Sequence, residues 1–170
     1  SKYRPRPARA NTKSWKSATS ESASMLANAR LLLAALWAGS VWAVSYLAAP
    51  SAFAVLDSTQ AGNVVGMMLT RSAWLAIALA VLLGLLVARA TDLDPRRKRW
   101  LYGVIVGMLA CSLVVYLGLQ PMMAAIRAAA GPAGVRASPQ WGTFAALHGA
   151  SQVLYLVETI LGAMLVVKAR

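Results

Sequence analysis

A polar stripe lies inside one of the most apolar parts of this sequence, in the segment LHGASQVLYLVETI at residues 147–160. In an α-helix, the members of this stripe share an arc of roughly 120°. They are His148, Ser151, Gln152, Tyr155, Glu158, Thr159 and, just after the segment, Gly162. Polar groups without partners are costly in hydrocarbon, so the stripe should face a bundle interior or a watery cavity. The opposite face, with Leu154, Val157, Leu161 and Leu165, is expected to contact lipid.

Glu158 and His148 are the stripe members whose chemistry extends beyond hydrogen bonding. An acidic side chain in the middle of a membrane span is rare and usually marks a functional site. A histidine can carry protons, bind a metal, ligate haem or donate to a backbone carbonyl. Ser151, Gln152 and Thr159 are explained equally well by hydrogen bonds between helices. The polar stripe therefore predicts either a polar site or adhesion between helices, and its residues leave both open.

The rise of 1.5 Å per helical residue converts sequence position into approximate depth in a membrane. Measured from the basic residues at the inner ends of the predicted spans, one layer lies about 27 to 32 Å away and holds Pro50, Arg71, Gln120 and His148. Glu158 lies about 15 Å away, near the middle of the bilayer. We therefore predict a polar or ligand-binding site with the candidates His148, Arg71, Gln120, Glu158, Tyr46 and Tyr155. Arg71 has a second interpretation, because its long side chain could instead reach headgroups.

Metal and cofactor chemistry has weak support in this sequence. No spacing of cysteine and histidine suits zinc. Met67, Met68, Met122 and Met123 fall near the level of His148, which is compatible with Cu(I), although core filling or lipid contact explains methionines as well. The sequence has one histidine, so haem would need His/Met ligation or a five-coordinate iron. With no nucleotide loop, catalytic triad or acid pair, we expect neither an enzyme nor a bound cofactor, and haem and copper stay as alternatives.

The composition indicates the elements that position these residues. Of the 170 residues, 59% are hydrophobic, and the mean hydropathy of +0.59 is typical of an integral membrane protein. Four stretches are long enough to cross a hydrocarbon core as helices, at residues 31–56, 64–88, 100–126 and 141–167. Short connections favour antiparallel neighbours. We predict an all-α protein in which a tail, residues 1–25, precedes a four-helix antiparallel transmembrane bundle, residues 26–170.

The net charge of +12 is distributed as in a membrane protein rather than a nucleic-acid-binding protein. Seven of the 17 Lys and Arg residues precede the first span, and five more flank the second connection. Cytoplasmic loops carry the excess of such residues, so both termini should be cytoplasmic in a multi-pass protein of the bacterial inner membrane. The tail is expected to contact anionic lipid headgroups or a partner protein through Lys2, Arg4, Arg6, Arg9, Lys13, Trp15 and Lys16.

A family resemblance covers about residues 28–168. The residues that carry it are Leu36, Trp37, Gly39, Trp42, Tyr46, Ala49, Pro50, Phe53, Ala61, Gly62, Gln120, Pro121, Arg127, Phe144, Leu147, His148 and Ser151. With them the sequence resembles a bacterial four-span family known as a domain of unknown function, similar to eukaryotic transmembrane protein 205. It is more distantly similar to the copper-resistance D class. The resemblance implies a four-span fold and its topology rather than an activity.

Two functions are compatible with these observations. The first is a non-catalytic accessory or stabilising subunit of a larger inner-membrane complex, respiratory or photosynthetic, which explains the basic tail, the small size and the lack of a catalytic constellation. Its partners would be the lipid bilayer and other membrane-protein subunits. The second is a small transporter, sensor, or metal- or haem-handling protein that works through the polar stripe.

Overall fold

The computed structural model describes residues 12–169, with side chains from residue 21 onward except at position 132. The tail contacts predicted for Lys2, Arg4, Arg6 and Arg9 lie outside the described residues. Those predicted for Lys13, Trp15 and Lys16 concern side chains that are likewise outside the description, although the backbone there is helical.

Helices and short turns make up the whole described part of the chain, which contains no strand. The α-helices are α1 (Thr12–Trp42), α2 (Ala49–Val55), α3 (Ser58–Arg89), α4 (Pro95–Leu113), α5 (Gln120–Ala130) and α6 (Trp141–Lys168). Four helical stretches are long and apolar enough to cross a membrane: span 1 (Glu21–Val55), span 2 (Ser58–Arg89), span 3 (Pro95–Ala130) and span 4 (Trp141–Lys168). The prediction of an all-α protein with four spans is therefore confirmed.

Spans 1 and 3 each contain a π-helical segment two residues before a proline. The segment Ala43–Ala48 joins α1 to α2 before Pro50, and Val114–Leu119 joins α4 to α5 before Pro121. A proline removes one helical hydrogen bond and its ring crowds the preceding turn. A local π adjustment provides partners for the freed groups, so both spans continue through their prolines. Such segments frequently border functional sites, and both border a cavity here.

The apolar core is concentrated at the end of the bundle where the second connection lies. Its members come from all four spans and include Ala34, Trp37, Leu79, Leu83, Val87, Leu101, Ile105, Met108 and Leu165. The opposite end holds a much smaller cluster of Ala52, Ala61 and Val65. A Cβ at Gly134 would lie 4.0 Å from Ser58 Oγ, so the first and third connections meet at this opposite end. The bundle is thus closed at one end and loosely filled at the other.

Arg30 holds the closed end together. Its side chain is fully buried and forms a bidentate salt bridge with Asp92 in the second connection. Its Nε also donates to the carbonyl oxygen of Ala169, at 3.0 Å. Arg97 donates to the carbonyl oxygen of Lys168 at 2.9 Å, so two cations bind the last carbonyls of α6. Arg30 therefore connects span 1, the second connection and the end of span 4.

The salt bridge predicts an acid-sensitive contribution to stability. The hydrogen bond from Arg30 holds the pKa of Asp92 below its ordinary value. A lowered folded-state pKa means that the stabilisation is complete above the unfolded-state pKa, about 3.9. It is lost as the pH falls through the folded-state value. We expect the unfolding free energy of the wild type to fall on acidification below about pH 4, and that of an Arg30→Met/Asp92→Asn double variant to fall less. Reversible detergent unfolding from pH 7 to pH 3 measures this, and equal slopes would contradict it.

Candidate functional site

A large cleft opens between the spans at the loosely filled end of the bundle. It has a volume of about 730 Å³ and receives side chains from all four spans and from the third connection. We call it the Arg127 cleft. The polar and charged side chains that line it are Ser45, Ser58, Thr59, Gln120, Arg127, Arg136, His148, Ser151, Gln152 and Tyr155. Most of the other lining residues are apolar or aromatic, such as Phe53, Val65, Leu69, Met123, Trp141 and Phe144.

Arg127 lies across a glycine face of α3. A Cβ at Gly62 would lie 3.1 Å from Arg127 Cδ, and one at Gly66 would lie 3.7 Å from Nη2. The same Gly66 position is 3.9 Å from Gln120 Oε1, so the arginine and the amide both approach this glycine. Because the two glycines are one helical turn apart, they form a shallow groove that a larger side chain would fill. The groove therefore lets Arg127 lie flat against span 2.

The Nε of Arg127 is buried and has no hydrogen-bond partner among the described residues. A buried donor left unpaired costs about 1 to 3 kcal/mol, and more when it carries charge. No aspartate or glutamate lines the cleft, and the salt bridge found in the described part of the chain joins Arg30 to Asp92 at the other end. The cleft is therefore electropositive and contains a cationic donor without a counter-charge.

An aromatic row forms the span 4 side of the cleft. The rings of Trp141 and Phe144 stack with centroids 6.2 Å apart, and those of Phe144 and His148 stack at the same distance. The guanidinium carbon of Arg136 lies 5.6 Å from the Trp141 ring centroid, a cation–π distance. The exposed edge of the site thus carries a second cation on an aromatic platform.

A small cavity of about 20 Å³ adjoins the cleft, and we call it the Glu158 cavity. The two spaces share Val44, Ser45, Leu69 and Tyr155. Glu158 is 1% exposed and accepts a 2.6 Å hydrogen bond at Oε1 from Ser112 Oγ. Trp37 and Ser45 also line the cavity, and Trp37 Nε1 and Ser45 Oγ are buried with no hydrogen-bond partner among the described residues. One water needs roughly 10 to 15 Å³ and several polar partners, so this cavity has the size and chemistry for one.

The Glu158→Met variant tests whether Glu158 stabilises the fold. Apolar replacement of a buried ionisable group at similar volume is often neutral or stabilising. We therefore expect the unfolding free energy of the Glu158→Met protein to be within about 1 kcal/mol of the wild type, or higher. Reversible unfolding in a detergent titration measures it. A loss of 3 kcal/mol or more would instead make the Ser112 contact an essential part of the packing.

The structure divides the polar stripe between three environments. Ser151, Glu158 and Gly162 are buried. His148 and Gln152 line the cleft although their side chains are largely exposed. Thr159 lines neither cavity, and its Oγ1 lies 3.1 Å from the hydroxyl of Tyr46, within hydrogen-bond distance. Tyr46 is 52% exposed and lines neither cavity, so it is not part of the site.

The predicted lipid-facing side of span 4 is wrong at two positions. Leu165 is 1% exposed in the apolar core, and Leu161 packs against that core. Leu165 lies seven residues after Glu158, which is two helical turns, so both side chains point the same way. Val157, at 40% exposed, faces outward as expected. The inward face of span 4 is therefore polar in the middle and apolar at the closed end.

Arg71 does not join the predicted layer. Its side chain is exposed and lines neither cavity. It follows Gly62 by nine residues, so it projects from the side of span 2 opposite the glycine groove. Arg127 supplies the cationic group instead. The depth argument gave the position of each residue along the membrane normal but not the side of the helix from which its side chain projects. The spacing of Gly62 and Gly66 was the sequence signal that could have identified Arg127 as the arginine inside the bundle.

The methionines considered as copper ligands also differ in whether they face the cleft. Met123 is 3% exposed and lines the cleft, whereas Met67 and Met122 are more than half exposed. Across the described residues, no group of three or more His, Cys, Asp or Glu side chains could hold a metal ion. The copper and haem alternatives for His148 stay predictions.

A family model described as a domain of unknown function, DUF4149, matches residues 32–132. The match includes the glycine groove, Gln120 and Arg127, and it ends before the aromatic row of span 4. No curated protein and no solved structure matches the chain. The resemblance to transmembrane protein 205 and to the copper-resistance D class therefore stays a prediction.

Proposed function

The chain belongs to the family of the domain of unknown function DUF4149, and we propose that it is a membrane-embedded ligand-binding protein that works through the Arg127 cleft. The observation that carries this proposal is the cleft itself. Its volume of about 730 Å³ falls within the range of small-molecule sites, roughly 300 to 1,000 Å³. Its walls combine apolar and aromatic side chains with polar groups that could orient a ligand, as in such sites. The role is binding, with transport or sensing as its consequence, and no catalysis is proposed.

The two ends of the bundle have different roles in this proposal. The closed end, with its apolar core and Arg30, keeps the four spans in place. The cleft end admits the ligand because it has little core of its own. Ser45 and Tyr155 line both the cleft and the Glu158 cavity, so a ligand that displaces either would change the surroundings of Glu158. Glu158 is therefore the proposed internal group through which occupancy of the cleft is communicated.

The proposed topology is an antiparallel bundle with both termini and the second connection on the cytoplasmic side of the bacterial inner membrane. The support is the charge pattern, since Arg89, Arg96, Arg97, Lys98 and Arg99 flank the second connection. The cleft then opens toward the opposite side. A cysteine placed at Thr59 in a Cys111→Ser background should react with an impermeant maleimide from outside intact cells. If the cysteine is labelled only after the cells are permeabilised, the orientation is the opposite of the one proposed.

A cleft-filling variant tests the binding role. At Gly66 a Cβ makes only ordinary contacts, so the larger Gly66→Leu side chain must grow into the cleft beside Arg127 and Gln120. The matched control is Gly149→Leu on span 4, where a Cβ meets nothing within 4 Å and the residue does not line the cleft. The test uses four amphiphiles: dodecyl phosphate, dodecanoate, dodecanol and dodecyltrimethylammonium. At least one of them should bind the wild type and Gly149→Leu proteins equally well. Its affinity for the Gly66→Leu protein should be lower by about tenfold or more.

The measurement is equilibrium binding of each labelled amphiphile to protein in phosphatidylcholine nanodiscs. The binding role is overturned if the Gly66→Leu protein retains wild-type affinity for all four amphiphiles. Native mass spectrometry of the same samples counts the bound molecules, which separates one site in the cleft from general partition around the spans.

The accessory-subunit role is the second candidate, and a feature of α1 favours it. The helix begins at Thr12 and runs to Trp42, so about 27 Å of helix precede Arg30 at the closed end. This extension carries exposed side chains, including Met25 at 71% exposure. A projecting helix that continues a basic tail suits docking to another membrane protein. Purification in mild detergent decides it, because a protein isolated only as a free monomer or homodimer would exclude a stable complex.

A further inference from the structure

We propose that the Arg127 cleft selects amphiphiles with a single anionic headgroup, a phosphate or a carboxylate, whose apolar body lies against the aromatic row of span 4. This inference rests on the proposed binding role and adds the chemical class of the ligand. The ligand is drawn from the membrane rather than from solution, because the cleft that holds Arg127 also presents a large apolar and aromatic surface.

The first step is the unpaired charge of Arg127. Neither a hydrogen bond nor a salt bridge involves this side chain among the described residues, and its Nε is buried. A guanidinium presents its donors as a planar fork that matches the oxygens of a phosphate or carboxylate. A bound anion would therefore provide both the counter-charge and the missing hydrogen-bond acceptors.

The second step is the fixed position of that guanidinium. Gly62 lies beneath Arg127 Cδ and Gly66 beneath Nη2, so the side chain lies along the face of span 2 rather than extending freely into solvent. A positioned guanidinium loses less conformational entropy on binding than a free surface arginine. Gln120 approaches the same glycine through its Oε1, and the Nε2 of the same amide can donate a further hydrogen bond to the anion. The groove therefore provides a preorganised headgroup site.

The third step is the surroundings of the headgroup. Phe53, Val65, Leu69 and Met123 line the cleft together with the rings of Trp141 and Phe144. A small hydrophilic anion would leave this apolar surface uncovered, whereas an alkyl chain would bury it. Arg136 lies at the exposed edge on the Trp141 ring, where it favours the approach of anions over cations. Charge and apolar surface together select an anionic amphiphile.

The test compares headgroups on one chain length, again in phosphatidylcholine nanodiscs. We expect dodecyl phosphate and dodecanoate to bind the wild type at least about tenfold more tightly than dodecanol, and dodecyltrimethylammonium to bind more weakly still. Arg127→Gln should remove the preference for the anions while retaining dodecanol binding. The matched control is Arg71→Gln, which removes an exposed arginine outside the cleft and should keep the preference.

Two outcomes would overturn the ligand class and leave the binding role intact. The first is dodecanol binding as tightly as dodecyl phosphate in the wild type, with both sensitive to Gly66→Leu. The second is Arg127→Gln keeping the preference for anions. Inorganic phosphate, added alone as a competitor, identifies the source: displacement of dodecyl phosphate at equal concentration would make the ligand a soluble anion and overturn the membrane origin. Binding that is insensitive to Gly66→Leu in every arm would instead refute the binding role itself.

Discussion

The Asp92→Asn variant is expected to have an unfolding free energy about 3 to 5 kcal/mol below that of the wild type, because it leaves a buried cation without a counter-charge. Arg30 is fully buried, whereas the side chain of Asp92 is 28% exposed. Removing the carboxylate therefore leaves a guanidinium that water cannot reach. The amide of asparagine has one acceptor oxygen, so the variant loses the negative charge and one of the two hydrogen bonds from Arg30, and the amide NH2 then faces a guanidinium donor.

The reverse substitution should cost less. In Arg30→Met, the remaining carboxylate of Asp92 is partly exposed and can be hydrated, and the methionine fills apolar space. We expect a loss of about 1 to 3 kcal/mol, mainly from the unpaired Ala169 carbonyl and the lost ion pair. The Arg30→Met/Asp92→Asn double variant should be more stable than Asp92→Asn alone, because the unpaired buried charge is then absent.

Asp94→Asn is the matched control for this series. Asp94 lies two residues away in the same connection and caps α4 by accepting from the backbone N–H groups of Arg96 and Arg97. Asparagine caps helices about as well as aspartate, so this variant should remain close to the wild type. Reversible unfolding in a detergent titration measures all four proteins. If Asp92→Asn and Asp94→Asn lower the unfolding free energy by the same small amount, Arg30 is hydrated and the closed end does not depend on the Arg30–Asp92 salt bridge.

The four spans could be predicted from the sequence because length and hydropathy determine them directly. Their limits differ in part: span 1 ends at Val55, close to the expected residue 56, whereas the start of span 1 and the end of span 3 lie elsewhere than expected. Span 3 reaches Ala130, and span 1 begins its helix well before residue 31. Polar and charged residues can extend a helix past the apolar stretch, because backbone hydrogen bonds do not require apolar side chains.

The site was predicted in part, and the difference lies in helix direction. Gln120 and His148, which the depth argument placed at one level, line one cleft together with Tyr155 from the polar stripe. Arg71 and Tyr46 were assigned by level alone, and both project away from it. Depth follows from counting residues, but direction depends on which face packs against a neighbour, and an isolated sequence gives that only through small-residue spacing. The glycine groove is the sequence feature that indicates which face of span 2 packs against a neighbour, and so supplies the direction that depth alone does not.

Glu158 links the packing of the bundle to its site. It lies one turn before Gly162, where span 4 packs closely against Ala38 of span 1, and one turn after Tyr155, which lines both cavities. Trp37 of span 1 lines the same small cavity, and its Nε1 has no partner among the described residues. The distance between spans 1 and 4 therefore contributes to the size of the Glu158 cavity, which spans 2 and 3 also line. A change in that distance should affect both the stability of the bundle and the site.

The Gly162→Leu variant changes that distance directly, and we expect it to lose about 3 kcal/mol or more of unfolding free energy. A Cβ at Gly162 would lie 3.1 Å from Ala38 Cβ and 3.4 Å from both Ala38 Cα and Met108 Cε. Ala38 Cα belongs to the backbone of α1 and cannot rotate away, so span 4 must move. Small residues at such crossings permit close packing, which lipid tails do not replace.

Gly149→Leu is the control on the same helix, because a Cβ at Gly149 meets nothing within 4 Å. Both substitutions replace glycine by a better helix former, a gain of up to about 1 kcal/mol in either place. Only Gly162→Leu also separates spans 1 and 4, so the difference between the two unfolding free energies isolates the crossing. Comparable stabilities would mean that the spans rearrange without cost. A lower stability for Gly162→Leu, together with weaker amphiphile binding in nanodiscs, would establish that the crossing also positions Tyr155 and Glu158 beside the cleft.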